Sequence, residues 1–337
     1  MGYRFKTYFL VLLPFFAFTL HLCVGKYPIS PMLILTLLTK KYFGCSSEYV
    51  AEQLVFFNIR LPRAIMAALF GATMGIAGAS LQSTLKNPLV SPYTLGISSG
   101  AAFGAALSIA FGFEKIGYNL LIEPSAFLFA LFAVFMTVSI SRVKGDFSPI
   151  SLVLAGVIVT AMFQGLLTLV QLITKPESAQ AIIGWISGRL NAITWGQTLL
   201  SIPLAVVGVT GIALLNWRIF VLSMGDEEAR ALGVDVKRER TIVIILVCLA
   251  VASVVAAVGI IGWVCLIAPH LTRLMVGSDP RRLLSASLSL GATFLLVADS
   301  IAKSIWIYEI PVGVIATLVG APLFLHLMRR SMHAWGG

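Results

Sequence analysis

The chain has 337 residues, of which 58% are hydrophobic and only 11% charged, and its mean hydropathy is +0.96. That balance excludes an ordinary water-soluble domain and reads as an integral membrane protein, long enough for roughly eight to ten crossings of about 20 residues each. A formal net charge of +10 does not point to nucleic acid, because the basic residues stand singly or in pairs between apolar segments, with no long run and no aromatic interleaving.

The first apolar segment, Tyr8 to Val24, follows Arg4 and Lys6 as a signal peptide would, but no small-residue cleavage pattern follows it, so it is read as a retained helix. Apolar runs broken by Gly, Pro and charge then predict an all-α protein of ten transmembrane helices. Their ranges are 6–27, 61–82, 93–112, 122–141, 150–174, 195–217, 240–258, 263–277, 283–303 and 311–330. The eighth is short and carries Pro269, His270 and Arg273, which predicts a partial or re-entrant crossing; His270 and Arg273 read as structural or docking residues. Basic residues gather at 218–240 and at Arg273, Arg281, Arg282, Arg329 and Arg330, which places both termini in the cytoplasm.

Two outer segments are longer than turns require. Residues 28–60 hold mildly amphipathic stretches at Pro31–Thr39 and Glu48–Asn58, and 175–194 predicts a short helix near Ala179–Ser187. They suit either a surface for an external partner or helices lying in the membrane interface. Gly71, Gly75 and Gly78, and likewise Gly96, Gly100 and Gly104, put small residues on one helix face and predict close helix packing. Cys23, Cys45, Cys248 and Cys265 lack metal-ligand spacing and read as small core residues.

Motifs for chemistry are missing. The chain has no G-x-x-x-x-G-K-[ST] phosphate loop and no H-E-x-x-H. Its spans are nearly free of ionisable residues, apart from Asp299 and Lys303 near one end of the ninth. No catalytic residue and no metal site is expected, and energy for transport must come from another subunit. An ion-coupled carrier, the rival of a different class, would show mid-membrane Asp, Glu or His, and a membrane-embedded enzyme would show a polar catalytic cluster.

Two stretches carry functional information. In Met224–Arg240, Asp226 is positioned to cap a short helix with Glu227 and Glu228 in its first turn, Gly233 to end it, and Asp235 to cap the helix that follows. The result is either a compact charged knob on the cytoplasmic side, where an ATPase can dock, or a solvated linker, and the orderly caps favour the knob. In the fifth span, Thr160, Gln164, Thr168 and Gln171 fall on one helix face, with Met162 and Leu166 opposite. Such a stripe either forms interhelical hydrogen bonds or lines a translocation path.

The motif order resembles the permeases of iron-chelate and cobalamin importers, the type II ATP-binding-cassette importers. The matching stretches are R-L-P-R at Arg60–Arg63, the run Gly71–Gln82, N-P-L-V-S-P at Asn87–Pro92, L-G-I-S-S-G-A at Leu95–Ala101, L-A-G-V at Leu154–Val157 and A-L-G-V at Ala231–Val234. Gly259–Arg273, D-P-R-R-L-L at Asp279–Leu284 and Pro311–Pro322 complete the set. The resemblance implies a single transmembrane permease domain over 1–337 in the cell inner membrane, acting as a homodimer. Two ATPase subunits would hold ATP and Mg, an extracytoplasmic binding protein would deliver substrate, and the chain itself would bind no cofactor and no nucleic acid. Within 224–240, Asp226, Glu227, Glu228, Ala229, Arg230, Ala231, Leu232 and Gly233 would couple to the ATPase. Arg60, Arg63 and Lys303 would meet acids on the binding protein, Lys303 standing where the family often has an arginine. The inner gate maps to Ser148–Ser151, where Pro149 and Ile150 replace small hydroxyl residues. The implied substrate is an iron–siderophore, haem or cobalamin, with molybdate or tungstate as the alternative.

Overall fold

The computed structural model describes residues 3–27, 29–43, 50–112, 121–142, 148–306 and 308–335, and no strand occurs among them. In chain order the helices are α1 (Tyr3–Cys23), α2 (Pro31–Phe43), α3 (Val50–Leu54), α4 (Leu61–Thr84), α5 (Ile97–Ala110), α6 (Ile122–Ser141), α7 (Pro149–Ile173) and α8 (Pro176–Ile186). There follow α9 (Trp195–Leu214), α10 (Asn216–Met224), α11 (Asp226–Ala231), α12 (Val236–Val258), α13 (Val264–Val276), α14 (Pro280–Ala302) and α15 (Val312–Trp335). The run Val50–Thr84 and helices α6, α7, α9, α12 and α14 are long and apolar enough to cross a membrane, and α1, α5, α13 and α15 hold shorter apolar stretches. Together these correspond to the ten expected spans. Helix α13 has 13 residues, about 20 Å at 1.5 Å per residue against a hydrocarbon core of about 30 Å, a length that is compatible with a partial crossing.

Helix α4 sits inside the bundle, packed against α14, α13, α12 and α9. Its small residues make that possible. A Cβ on Gly75 would lie 2.0 Å from the Ser287 carbonyl oxygen of α14, and one on Gly291 would lie 2.1 Å from the Gly71 oxygen, so only hydrogen fits at this crossing. Gly104 of α5 meets the Ser125 carbonyl of α6 in the same way, at 2.4 Å. Gly96, grouped with Gly100 and Gly104 by spacing, serves the backbone instead, since at φ +87° it closes the 3-10 turn Pro92–Leu95 and starts α5.

The second outer stretch departs from expectation. Residues from Val50 onward do not form a separate interfacial helix; α3 continues through a π-helical turn, Val55–Arg60, directly into α4. The first stretch is α2, and the short helix predicted near Ala179–Ser187 is α8. Cys23, Cys248 and Cys265 are free thiols, the latter two buried, while Cys45 lies outside the described residues. The side chains of Arg329 and Arg330 lie outside them as well.

Between α12 and α13 the backbone leaves the helix over Gly259–Trp263. Gly259 at φ +90° packs where a Cβ would be 2.1 Å from the Trp185 oxygen, and Trp263 has φ +71°, a region that L side chains rarely occupy. Tyr93 supports the break by donating its hydroxyl to the Ile261 carbonyl at 2.8 Å.

Candidate functional site

At the end of the bundle where α4 finishes and α12 begins, α10 and α11 form the knob expected from Met224–Arg240. Val221, Leu222, Ala229 and Val236 give it a small apolar core of its own. Gly233 takes φ +78° and ends α11, with the Gly233 and Val234 amides donating to the carbonyls of Arg230 and Ala229. Asp235 caps α12 by accepting from the Arg238 amide at 3.1 Å. Asp226 differs from the expectation, since Gly225 occupies the cap position and the Asp226 carboxylate instead accepts from Arg240 at 2.8 Å. Arg240 is 1% exposed, so this bond ties the outer helix of the knob to the base of α12.

Further bonds fasten the knob to its surroundings. Arg218 pairs with Glu239, Lys86 beyond α4 donates to the Met224 carbonyl at 3.3 Å, and Asn216 donates to the Arg281 carbonyl at 3.2 Å. The Arg281 guanidinium lies 4.4 Å from the Phe220 ring centroid, and its partner Asp279 is held below the ordinary carboxylate range, first by their hydrogen bond. Outward, Glu227, Glu228, Arg230, Ala231, Leu232 and Gly233 are exposed, with Leu232 at 61%.

At the opposite end, the cations assigned to docking are inside the chain. Arg60 and Arg63 are each 6% exposed and Lys303 is 4% exposed. Arg60 donates to the carbonyls of Leu22 and Cys23, at 2.6 and 3.2 Å, and to that of Tyr27. Arg63 clasps Asp299 and reaches Glu309 at 2.7 Å, while Lys303 donates to the His21 carbonyl at 2.6 Å. His21 Nε2 stands 2.7 Å from Asp299. Buried and bonded in this way, the three cations pin α1, α4 and α14 together, and as they stand they do not offer free charge to a docking partner. Sequence reasoning noted Asp299 but missed it as the hub. The signal was its position near the end of an apolar span, where a lone carboxylate needs partners.

Helix α7 is the least enclosed of the long helices, burying a narrow face with Leu152, Ala155, Gly156, Val159 and Phe163. Gln164 and Thr168 are exposed, and Thr160 and Gln171 are partly so. The Thr168 hydroxyl donates to the Gln164 carbonyl of its own helix at 2.9 Å, so the stripe faces out of the chain and does not knit α7 to another helix. Met162 and Leu166, on the opposite face, are exposed too. Ser148 caps α7, accepting from the Ser151 amide at 3.0 Å, and Ile150 beside it is strongly exposed. A cleft of about 390 Å³ opens where α8 ends, between the Gly259–Trp263 break and the start of α15, with Ser187, Gly262 and Thr317 on its wall.

The motif order of the sequence is matched by a family model, that of the FecCD transport family, over residues 12–330. The chain belongs to that family. It is 36% identical over 292 residues to a probable iron chelatin transport system permease protein of Helicobacter pylori, covering 87% of each chain. It is also 35% identical over 306 residues to the molybdate import system permease protein MolB of Haemophilus influenzae, covering 90% of this chain and 89% of the relative. A solved inward-facing conformation of a putative metal-chelate type ABC transporter superposes with a TM-score of 0.86 at 32% identity, covering 97% of this chain and all of that one. These likenesses run the length of the fold. The protein is a multi-pass membrane permease of this transport family.

Proposed function

We propose that the chain is the permease subunit of an ATP-driven importer that moves a metal chelate into the cytoplasm. In this reading it acts as a homodimer, with two ATPase subunits on the α11 knob and an extracytoplasmic binding protein at the end that carries Glu309. The knob carries the reading. It has its own core, it is tied to α4, α12 and α14, and its outward face presents Leu232, 61% exposed among the described residues, beside charged side chains. A rigid lever with an exposed tip suits the transfer of motion from an ATPase. Both termini then lie in the cytoplasm, as the positive-inside rule asks.

The polar stripe of α7 supports the homodimer. Threonine and glutamine side chains facing outward from a bilayer helix require protein or water against them, and a second copy across a shared path supplies both. The path would run from the cleft at Ser187 and Thr317, along Thr160, Gln164, Thr168 and Gln171, to Ser148 at the inner end. Its uncharged lining favours a bulky chelate over a bare oxyanion such as molybdate, which would be expected to meet a cationic side chain. Docking of the binding protein would then require Glu309, the most exposed member of the outer charge cluster, to give up Arg63 to an incoming carboxylate.

Co-purification from native membranes tests the proposal. An ATP-binding-cassette ATPase should accompany the wild-type chain and be lost from Leu232→Asp, whose exposed site leaves the fold intact. Absence of an ATPase, or full retention by the variant, would overturn it.

A further inference from the structure

Helix α6 has two flanks. On one, Phe129 and Phe132 pack on Phe163 of α7 with ring centroids 6.5 and 6.4 Å apart. On the other, a cavity of about 370 Å³ lies between α6 and α12. Leu131, Val134 and Val138 form its wall and Ile244 and Cys248 its floor, and it opens where Phe135 and Ile245 face outward. The interior is apolar. The mouth at the α11 end is not: Arg142, the residue that follows α6, stands there with Thr241, whose hydroxyl is turned onto the Lys237 carbonyl at 2.8 Å. Arg142 is exposed, and among the described residues no carboxylate pairs with it.

From Leu131 to Arg142 the helix rises about 16 Å at 1.5 Å per residue, which matches one leaflet of a hydrocarbon core about 30 Å thick. The groove therefore spans the depth of an acyl chain, and its single cation falls where a headgroup begins. We propose that this groove is a binding site for an anionic phospholipid, one acyl chain lying between α6 and α12 and the phosphate resting on Arg142. A guanidinium fork suits phosphate oxygens. A second copy of the chain is the poorer occupant. The polar stripe that asks for a protein partner is on α7, at the other flank of α6, whereas below its mouth this groove carries one hydroxyl, that of Ser139 one turn from Arg142, on an otherwise apolar lining with the Cys248 thiol at its floor.

Native mass spectrometry of the full chain in neutral detergent tests the site, with phosphatidylglycerol and phosphatidylcholine offered at equal concentration. Wild type should retain phosphatidylglycerol preferentially. Arg142→Gln should lower that preference about fivefold, the equivalent of about 1 kcal/mol for one surface cation. Arg142→Lys should keep most of it, and Val138→Trp, which fills the groove, should lower retention of both lipids. Equal retention of the two lipids by wild type, or an unchanged preference in Arg142→Gln, would overturn the site. Placing the lipid in the inner leaflet rests on the orientation proposed above. The detergent measurement does not depend on it, so a wrong orientation and a wrong groove give different results.

Discussion

Arg63 grips Asp299 through two hydrogen bonds, Nε to one carboxylate oxygen at 2.8 Å and Nη2 to the other at 2.9 Å, joining α4 to α14. The same carboxylate faces His21, and Lys303 lies beside it on the His21 carbonyl. Asp299 is fully buried and offsets more than one cation. Asp299→Asn should therefore cost about 3–5 kcal/mol, the usual loss when one member of a buried pair is removed. Glu309→Gln, at the partly exposed edge of the cluster, should cost no more than about 1 kcal/mol. Thermal unfolding of the detergent-solubilised chain compares the two, and equal shifts would show that Asp299 is not the hub. Reversing Arg60 and Arg63 to Glu should collapse the same cluster, so stability must be read before any loss of binding-protein affinity is assigned to docking.

Much of the fold was legible because a bilayer makes the hydrophobic signal long and plain. Ten apolar helical segments, the short length of α13 and the knob with its stop and cap all follow from apolar run length, Gly233 and Asp235. What the sequence hid was partner choice. Asp226 looks like a cap, but Gly225 takes that position and Arg240, fourteen residues on, claims the carboxylate. Arg60 and Arg63 look like exposed cations flanking Pro62, yet their partners are 33 to 246 residues distant and carry no local pattern. Periodicity likewise sorted the faces of α7 but did not say how few would be buried.

The Arg240–Asp226 bond should govern the rigidity of the knob. Asp226→Asn keeps the shape and removes the charge, leaving a buried guanidinium with a weaker acceptor, a loss of about 1.5–3 kcal/mol for a charge-assisted bond. Local opening of 226–234 should rise in proportion, by roughly tenfold to a hundredfold in hydrogen exchange. Transport should fall while hydrolysis by an associated ATPase persists. Unchanged protection across the segment would remove Arg240 from this role.

Packing at the α4–α14 crossing predicts a sign difference between two glycine substitutions. Gly75→Ala drives a methyl into the Ser287 carbonyl and should destabilise the chain by about 1–3 kcal/mol, as overpacking does. Gly165→Ala, on α7 with nothing within 4 Å of its added carbon, should stabilise by about 0.5–1 kcal/mol through helix propensity. Paired thermal melts decide it, and a loss at Gly165 as large as that at Gly75 would count against the close crossing.

The stripe on α7 makes the last prediction, which separates a water-lined path from a lipid-facing surface. Cysteines placed singly at Thr160, Gln164, Thr168 and Gln171 should react with a membrane-impermeant thiol reagent, because water on a shared path ionises and solvates the thiol. Val159 and Phe163, each about 1% exposed, are the sealed controls. Met162 and Leu166 are the informative ones: both are exposed but apolar, so they report lipid contact rather than burial. The expected pattern is labelling on the stripe, none at Val159 and Phe163, and little at Met162 and Leu166, with stripe labelling changing when nucleotide closes an associated ATPase. Labelling of Met162 and Leu166 equal to the stripe would mean that α7 is wet all round and has no dedicated path face. Silence at all four stripe positions in every nucleotide state would mean that no water reaches this face, and the path would then belong to other helices.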